Sequence, residues 1–342
     1  MALLQSTEIA QAIAKCEGSF STAETREGSN AASKLLFSNE ASAFQNVKAL
    51  KSSVVQPTKA MLQKKSLISL ANNKTAAHTG SIGDSFTQDI VYVQKSAPFK
   101  VSYKLAENNS FGYDEQLQQG FLNAFMSLRG GINAYALAQL AAQKTQVAST
   151  STLLTWVGAG NKYTNASGEA NVSKQASRIK AAARKNKYSG SLDIVGGQQL
   201  VSDMVHNAAQ GTANATNFGY QFSGLSLAEE ENIDEANLGA NGFGYFLPSG
   251  LVGMTSWNEA INTSGRGDVN ANEGLFTTIS DPVIPNLMYD VHVYRGLANT
   301  VSGDNTHYQD PIDQYEVTAF YSFSHAMIDV ANETPIFAIE QL

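Results

Sequence analysis

The chain has 342 residues, of which only 15% are charged, and a formal net charge of −7. That balance disfavours a nucleic-acid-binding protein working through bulk positive charge, and the length allows one large or two modest domains with real cores. A single cysteine, Cys16, excludes an internal disulfide framework and any cysteine-based zinc cluster.

No apolar run approaches the roughly 18 residues of a membrane span, so none is expected. The opening MALLQSTEIAQ lacks the basic region and apolar core of a secretory signal, and synthesis in a cytosol is the expectation.

Residues 1–65 are polar and rich in Ala, Ser, Glu and Lys. Leu4, Ile9 and Ile13 suit one short helix, and Leu35, Leu36, Phe37 and Phe44 stand as isolated apolar anchors. These are too few to build a separate core. The expectation is an arm lying across another surface, with Leu35, Leu36 and Phe37 buried on an adjacent copy.

Strand-like sequence follows over 66–110. SLISL is a short apolar run, NNKTAAHTGSIGDS is rich in turn formers, and DIVYVQKSAPFKVSYKL alternates. Pro98 points to an edge strand or a bend. The whole reads as a long two-stranded excursion that needs another surface, because an isolated hairpin is marginal in water.

The stretch 114–144 carries Leu117, Phe121, Phe125, Leu128, Ile132, Tyr135 and Leu140 at spacings of mostly three and four, which is one helical face. Glu115 and Lys144 sit at the ends that a helix dipole favours. A bend or a close backbone contact is expected at Gly130-Gly131, since each glycine costs up to about 1 kcal/mol against alanine. The apolar face is expected to pack on strands near Tyr315, Val317, Ala319 and Tyr321.

TSTLLTWVGAGNKYTNASGE then reads as a strand and a loop. SKQASRIKAAARKNKYSG reads as a helix holding the one basic concentration, including Lys174, Arg178, Lys180, Arg184 and Lys185. Arg178, Arg184 and Lys185 are expected to meet acidic groups of a neighbouring copy. SLDIVGG and QQLVSDMVHNAAQ form a strand–glycine–helix unit with Leu200, Val201, Met204, Val205 and Ala208 inward. It lacks the glycine pattern of a phosphate loop. Short strands, glycine turns and an acidic cluster, Glu229 to Glu231, fill the sequence up to about residue 310. Further strands, including Ile336–Ile339, run from there to Leu342.

Catalytic constellations do not emerge. His78, His206, His292, His307 and His325 are scattered, without an HExxH motif. Asp290 with His292, and Asp304 with His307 and Asp310, are the groupings closest to a metal site. Asp268 to Asn272 begins like a calcium loop, but Glu273 and Ile279 stand where that loop needs Gly and Glu. Arg266-Gly267-Asp268 is a three-residue match of the kind that chance supplies. No catalytic residue, cofactor or metal is assigned.

The order of parts resembles the major capsid proteins of tailed bacteriophages, which have the Hong Kong 97-type fold. The parts are a polar arm, a two-stranded excursion, one long helix, an α/β lobe and returning strands. SFSHAMIDVANETPIFAIEQL also looks like the C-terminal strands of such coats.

The resemblance implies an α+β fold with an N-terminal arm (1–65) and an extended β-hairpin loop (66–110). A peripheral domain (111–189) would hold the spine helix (114–144), followed by an axial domain (190–310) and returning peripheral strands (311–342). It implies a non-catalytic protein of the virion, assembled in the host cytoplasm. Its partners would be other copies of itself in hexamers and pentamers, minor or decoration capsid proteins, a portal, and a packaged genome touched without sequence specificity. No Lys–Asn pair for covalent cross-linking is identified. An encapsulin-like compartment, a tail-tube subunit, and an α/β enzyme or binding protein with a site in 190–310 are the alternatives.

Overall fold

The computed structural model describes residues 11, 12, 14, 28–39, 58–63, 85–103, 112–147, 153–166, 174–210, 223–233, 242–258, 276–301, 307–326 and 332–341. Along them run α1 (Ala31–Ser38), β1 (Lys59–Gln63), β2 (Ser85–Asp89), β3 (Val93–Ser102), α2 (Tyr113–Ala142), β4 (Thr155–Val157), β5 (Lys162–Asn165) and α3 (Gln175–Lys185). After these come β6 (Leu192–Gly196), α4 (Gln198–Gln210), β7 (Leu225–Glu229), β8 (Phe243–Pro248), β9 (Val252–Trp257), β10 (Phe276–Ser280), β11 (Met288–Val301), β12 (His307–His325) and β13 (Phe337–Gln341). The class is α+β, as expected.

The periodic stripe becomes α2, 30 residues long, or about 45 Å at 1.5 Å per residue. Its first turn is closed by Glu115, whose Oε2 accepts the Gly112 N–H at 2.8 Å. Its last turn hands over to the C-terminal region: the Thr145 N–H donates to Ile336 O and the Gln146 N–H to Asn332 O. Leu117, Phe121, Phe125, Leu128, Ile132, Ala136 and Leu140 are all buried.

The stripe meets the strands that the sequence nominated. Phe121 lies 5.6 Å from the Tyr315 ring and Tyr135 lies 5.1 Å from Tyr321, both edge-on. Phe125 stacks on Tyr289 at 5.3 Å.

The expected contact at Gly130-Gly131 is not there. The helix continues through both glycines, and a side-chain carbon on either would meet no neighbour. Tertiary burial on both sides outweighs a propensity loss of about 1 kcal/mol per glycine. The close approach is at Gly120 instead, where a Cβ would overlap the Phe99 ring of β3.

Under α2 lies an antiparallel sheet in the order β10-β11-β12-β3, with β9 pairing the far end of β12. β3 is an edge strand, which explains how Pro98 is tolerated opposite Glu316.

This corrects the reading of 66–110 as one excursion. Alternation marked Val93–Ser102 as a strand, but could not say what it pairs with. Phe99 inserts between Phe121 and Tyr315, 5.1 and 5.0 Å away, and a free hairpin could not bury it that way. The two-stranded ribbon that does form is β1–β2, registered from Lys59↔Asp89 to Gln63↔Ser85. It begins inside the segment assigned to the arm.

A second sheet runs β4-β5-β13-β8-β6-β7, with β13 parallel to β5 and β6 parallel to β7. Val195, Phe243, Tyr245, Leu247 and Ala338 turn to the core shared with α2. Ile194, Phe246, Phe337 and Ile339 turn the other way, under Ile179, Ala182 and Ala183 of α3 and Leu200 and Met204 of α4. Val205, expected inward, is 41% exposed, and the Ala208 side chain lies outside the described residues.

The sequence division at residue 310 does not follow the sheets. β9, β10 and β11 join the sheet under α2, whereas β13 completes the other one. Long-range pairing decides this, and local alternation carries no information about the partner.

The placement of Leu35, Leu36 and Phe37 on a neighbouring copy is overturned. Leu36 and Phe37 have no exposed surface and belong to the main core, and Leu35 packs against it. α1 is fastened to its own chain by backbone and side-chain bonds. The Ala32 N–H donates to Glu230 Oε2 at 3.0 Å and the Ser33 N–H to Asn133 Oδ1 at 3.0 Å. Asn286 Nδ2 donates to Phe37 O at 3.2 Å. A short helix with one apolar face is stable only where that face is covered, and the junction of α2, β7 and β9 covers it.

The core also holds a charge pair that the sequence did not announce. Arg129 Nε donates to Asp281 Oδ2 at 2.7 Å with both side chains fully buried. Asp281 further accepts from the Tyr289 hydroxyl and from the Val283 and Ile284 N–H groups.

Replacing a buried Phe by Ala costs about 3–5 kcal/mol. Phe37→Ala and Phe125→Ala are therefore each expected to lower the unfolding temperature of isolated subunits clearly. Ser127→Ala, on the exposed face of α2, should stay within about 0.5 kcal/mol of the parent chain. Thermal unfolding followed by circular dichroism checks both, and wild-type stability of Phe37→Ala would return α1 to a neighbour.

Candidate assembly surfaces

Three regions stand out against this body. The first is the β1–β2 ribbon, whose strands pair only with each other among the described residues. Its base is tied by the Ile90 N–H donating to Thr58 O at 2.8 Å.

The second is the basic helix α3. Ile179, Ala182 and Ala183 fix its inward face in the core beneath it. Lys174, Ser177, Lys180 and Arg184 then share the opposite face by helical phase. With Tyr188, Ser191 and Ser223 they line a groove of about 700 Å³ between the helix and the first residues of β6 and β7. Burial, then the neighbouring Arg184 charge, lowers the Lys180 pKa below the usual lysine value.

Of the three basic residues expected at an interface, Arg184 lines this groove and Lys185 is exposed beside it. Arg178 is half-buried and donates to its own chain's Asn165 Oδ1. The structure thus splits a group that composition had treated as one.

The acidic cluster splits similarly. Glu230 is buried, capping α1 and accepting from the Asn232 backbone N–H and Nδ2. Glu229 and Glu231 on either side of it are exposed.

The third region is a carboxylate clasp. The Asp313 side chain is fully buried and receives Arg295 Nε at 2.9 Å and Nη2 at 3.1 Å. The Tyr103 and Tyr113 hydroxyls donate to its Oδ2 at 2.8 and 2.7 Å. The two tyrosine rings stack at 5.1 Å, which joins the end of β3 to the start of α2. Burial raises the Asp313 pKa, but the hydrogen bonds from Arg295, Tyr113 and Tyr103 outweigh it and hold the carboxyl below its ordinary range. Burial, then bonding to Tyr315 and Asp313, pushes the Tyr113 hydroxyl up strongly. The signal in sequence was slight: an aspartate in an alternating strand.

Of the metal-like groupings, Asp304 and the side chains of His307 and Asp310 lie outside the described residues. Asp290 is buried and accepts from Asn258 Nδ2 at 2.9 Å and Thr278 Oγ1 at 3.1 Å. Among the described residues no three His, Cys, Asp or Glu side chains converge on one point, and no helix is long and apolar enough to cross a membrane. Cys16, His78, Asp268 to Asn272, Arg266-Gly267 and Asp304 lie outside the described residues.

A long helix across one antiparallel sheet, beside a mixed sheet capped by two helices, is a fold that this chain shares with a phage capsid structure. The cyanophage A-1(L) capsid asymmetric unit matches with a TM-score of 0.51 at 11% identity, covering 92% of this chain and 94% of that one. A structure from Mycobacterium phage Che8 matches with a TM-score of 0.49 at 8% identity, covering 93% of each chain. No family model matches the sequence, and no curated protein matches it.

The clasp makes a pH-dependent contribution to stability. A carboxyl held below its unfolded pKa stabilises the fold above about pH 4 and loses that contribution as the pH falls through the folded value. Asp313→Asn is expected to cost about 1.5–3 kcal/mol near neutrality. The low end applies, because Arg295 is 46% exposed and water screens its bond. Urea unfolding from pH 7 down to pH 3 should show the gap between variant and parent narrowing on the acid side. A constant gap would mean that Asp313 is not held as a carboxylate.

Proposed function

We propose that this chain is a structural, non-catalytic major capsid protein whose copies assemble as hexamers and pentamers into an icosahedral shell around a phage genome. The observation that carries the reading is the fold shared with the cyanophage A-1(L) capsid asymmetric unit over 92% of this chain. In this reading α2 is the spine helix, and β3 with β9 to β12 forms the peripheral domain around it. The mixed sheet with α3 and α4 is the axial domain, β1–β2 is the extended loop, and residues before α1 form the arm.

Shell formation would rest on many weak contacts made at once, so the lattice is stable although each contact is not. The protein would act in the virion after assembly in the host cytoplasm, touching the genome without reading its sequence.

Negative-stain microscopy of the purified full-length chain tests this. Closed shells of uniform diameter are expected. Lone monomers at high concentration, or open tubes, would refute it.

A further inference from the structure

We propose that the groove over α3 receives the exposed carboxylates Glu229 and Glu231 of a second copy, in a head-to-tail contact that repeats around a ring. This deepens the shell reading above and rests on it. The groove offers Lys180 and Arg184 four residues apart on one helical face, with Lys174 six residues before Lys180, and among its described lining residues there is no carboxylate. Side chains four apart on a helix sit about 5–6 Å from each other at Cβ. Glu229, the last residue of β7, and Glu231, in the turn that follows it, are exposed on either side of the buried Glu230. The two pairs therefore oppose in charge.

The two patches lie at separate places on the subunit, as a head-to-tail contact requires. β6 and β7 are parallel, registered from Leu192↔Leu225 to Gly196↔Glu229. The groove lies at the Leu192 and Gly224 end and the two glutamates at the other, roughly 13 Å away along the strand. Two different patches on one subunit, each complementary to the other, allow a heterologous contact, which forms a ring where the rotation between copies closes. β7 is also the outer strand of its sheet, so no strand of the same chain stands beyond it among the described residues.

The alternative occupant is a nucleic-acid phosphate backbone. The chain carries an excess of acidic over basic residues, 30 against 23, which favours a contact among copies.

A charge swap decides the matter. Lys180→Glu with Arg184→Glu, and separately Glu229→Lys with Glu231→Lys, should each lower the yield of particles about tenfold or more, as losing about 1.4 kcal/mol per contact would. Subunit unfolding temperatures should stay close to the parent, which separates failed assembly from failed folding. Mixing the two variants completes every contact only in a ring with an even number of copies, whereas combining all four substitutions in one chain should restore particles in any ring. Sedimentation with microscopy reads the yield, and the nucleic-acid content of the particles is measured alongside.

The groove reading fails if the combined chain does not assemble although it folds, or if either reversal assembles like the parent. It fails in favour of nucleic acid if the groove reversal assembles normally but its particles lose their nucleic acid. A parent chain that never associates would overturn the shell reading as well, so the two failures are distinct.

Discussion

A helix of about 45 Å with a continuous apolar stripe has to be covered along its whole length, and that requirement organises the molecule. Several described elements share that cover. β3, β11 and β12 cover it from one side, and α1 closes the region around Asn133. The cover is drawn from chain positions as far apart as Ser33 and Tyr321. The closest approach is Gly120 against Phe99, where a missing side chain lets the edge strand lie directly on the helix. Phe99 in turn orders Phe121 and Tyr315 around itself.

Two polar devices hold this cover in register. Arg129 and Asp281 lie in the core, where desolvation consumes much of what their attraction gives. Such a pair adds little net stability against an apolar substitute, yet breaking it on one side is costly. Asp281 also gathers Tyr289 and two backbone N–H groups, so it locates the turn before β11 relative to the helix. The Asp313 clasp acts at the other end, where two tyrosines and Arg295 converge on one carboxylate. Directional bonds supply the specificity that apolar contact alone lacks.

In the proposed shell, the integration of α1 changes which parts are left for other copies. Leu36 and Phe37 complete the subunit, so the described arm segment contributes to folding. The surfaces that remain are of another kind: a two-stranded ribbon, the outer edges of both sheets, and charges sorted onto separate ends of β7. Exposed ion pairs are individually worth little and are screened by salt. Contacts of that strength suit an assembly in which errors can be released and corrected.

Periodicity by itself determined the long helix and its buried face. Spacing along one element follows directly from backbone geometry. Pro98 likewise marked an edge strand, because a missing N–H is a local fact. What only the tertiary structure decided is who pairs with whom. Val93–Ser102 read as half of an excursion and lies on the sheet under α2. Phe337–Gln341 read as a returning strand of that sheet and completes the other one. Leu36 and Phe37 read as anchors for a neighbour because their own polar surroundings offered no core, and the core that takes them comes from elements distant in sequence, chiefly α2 and β9. The candidate groove follows the same division. Its basic helix was legible as composition, but Lys180 and Arg184 were separated from Arg178 only when α3 was laid on its sheet, since burial of one helical face determines which charges the other face presents.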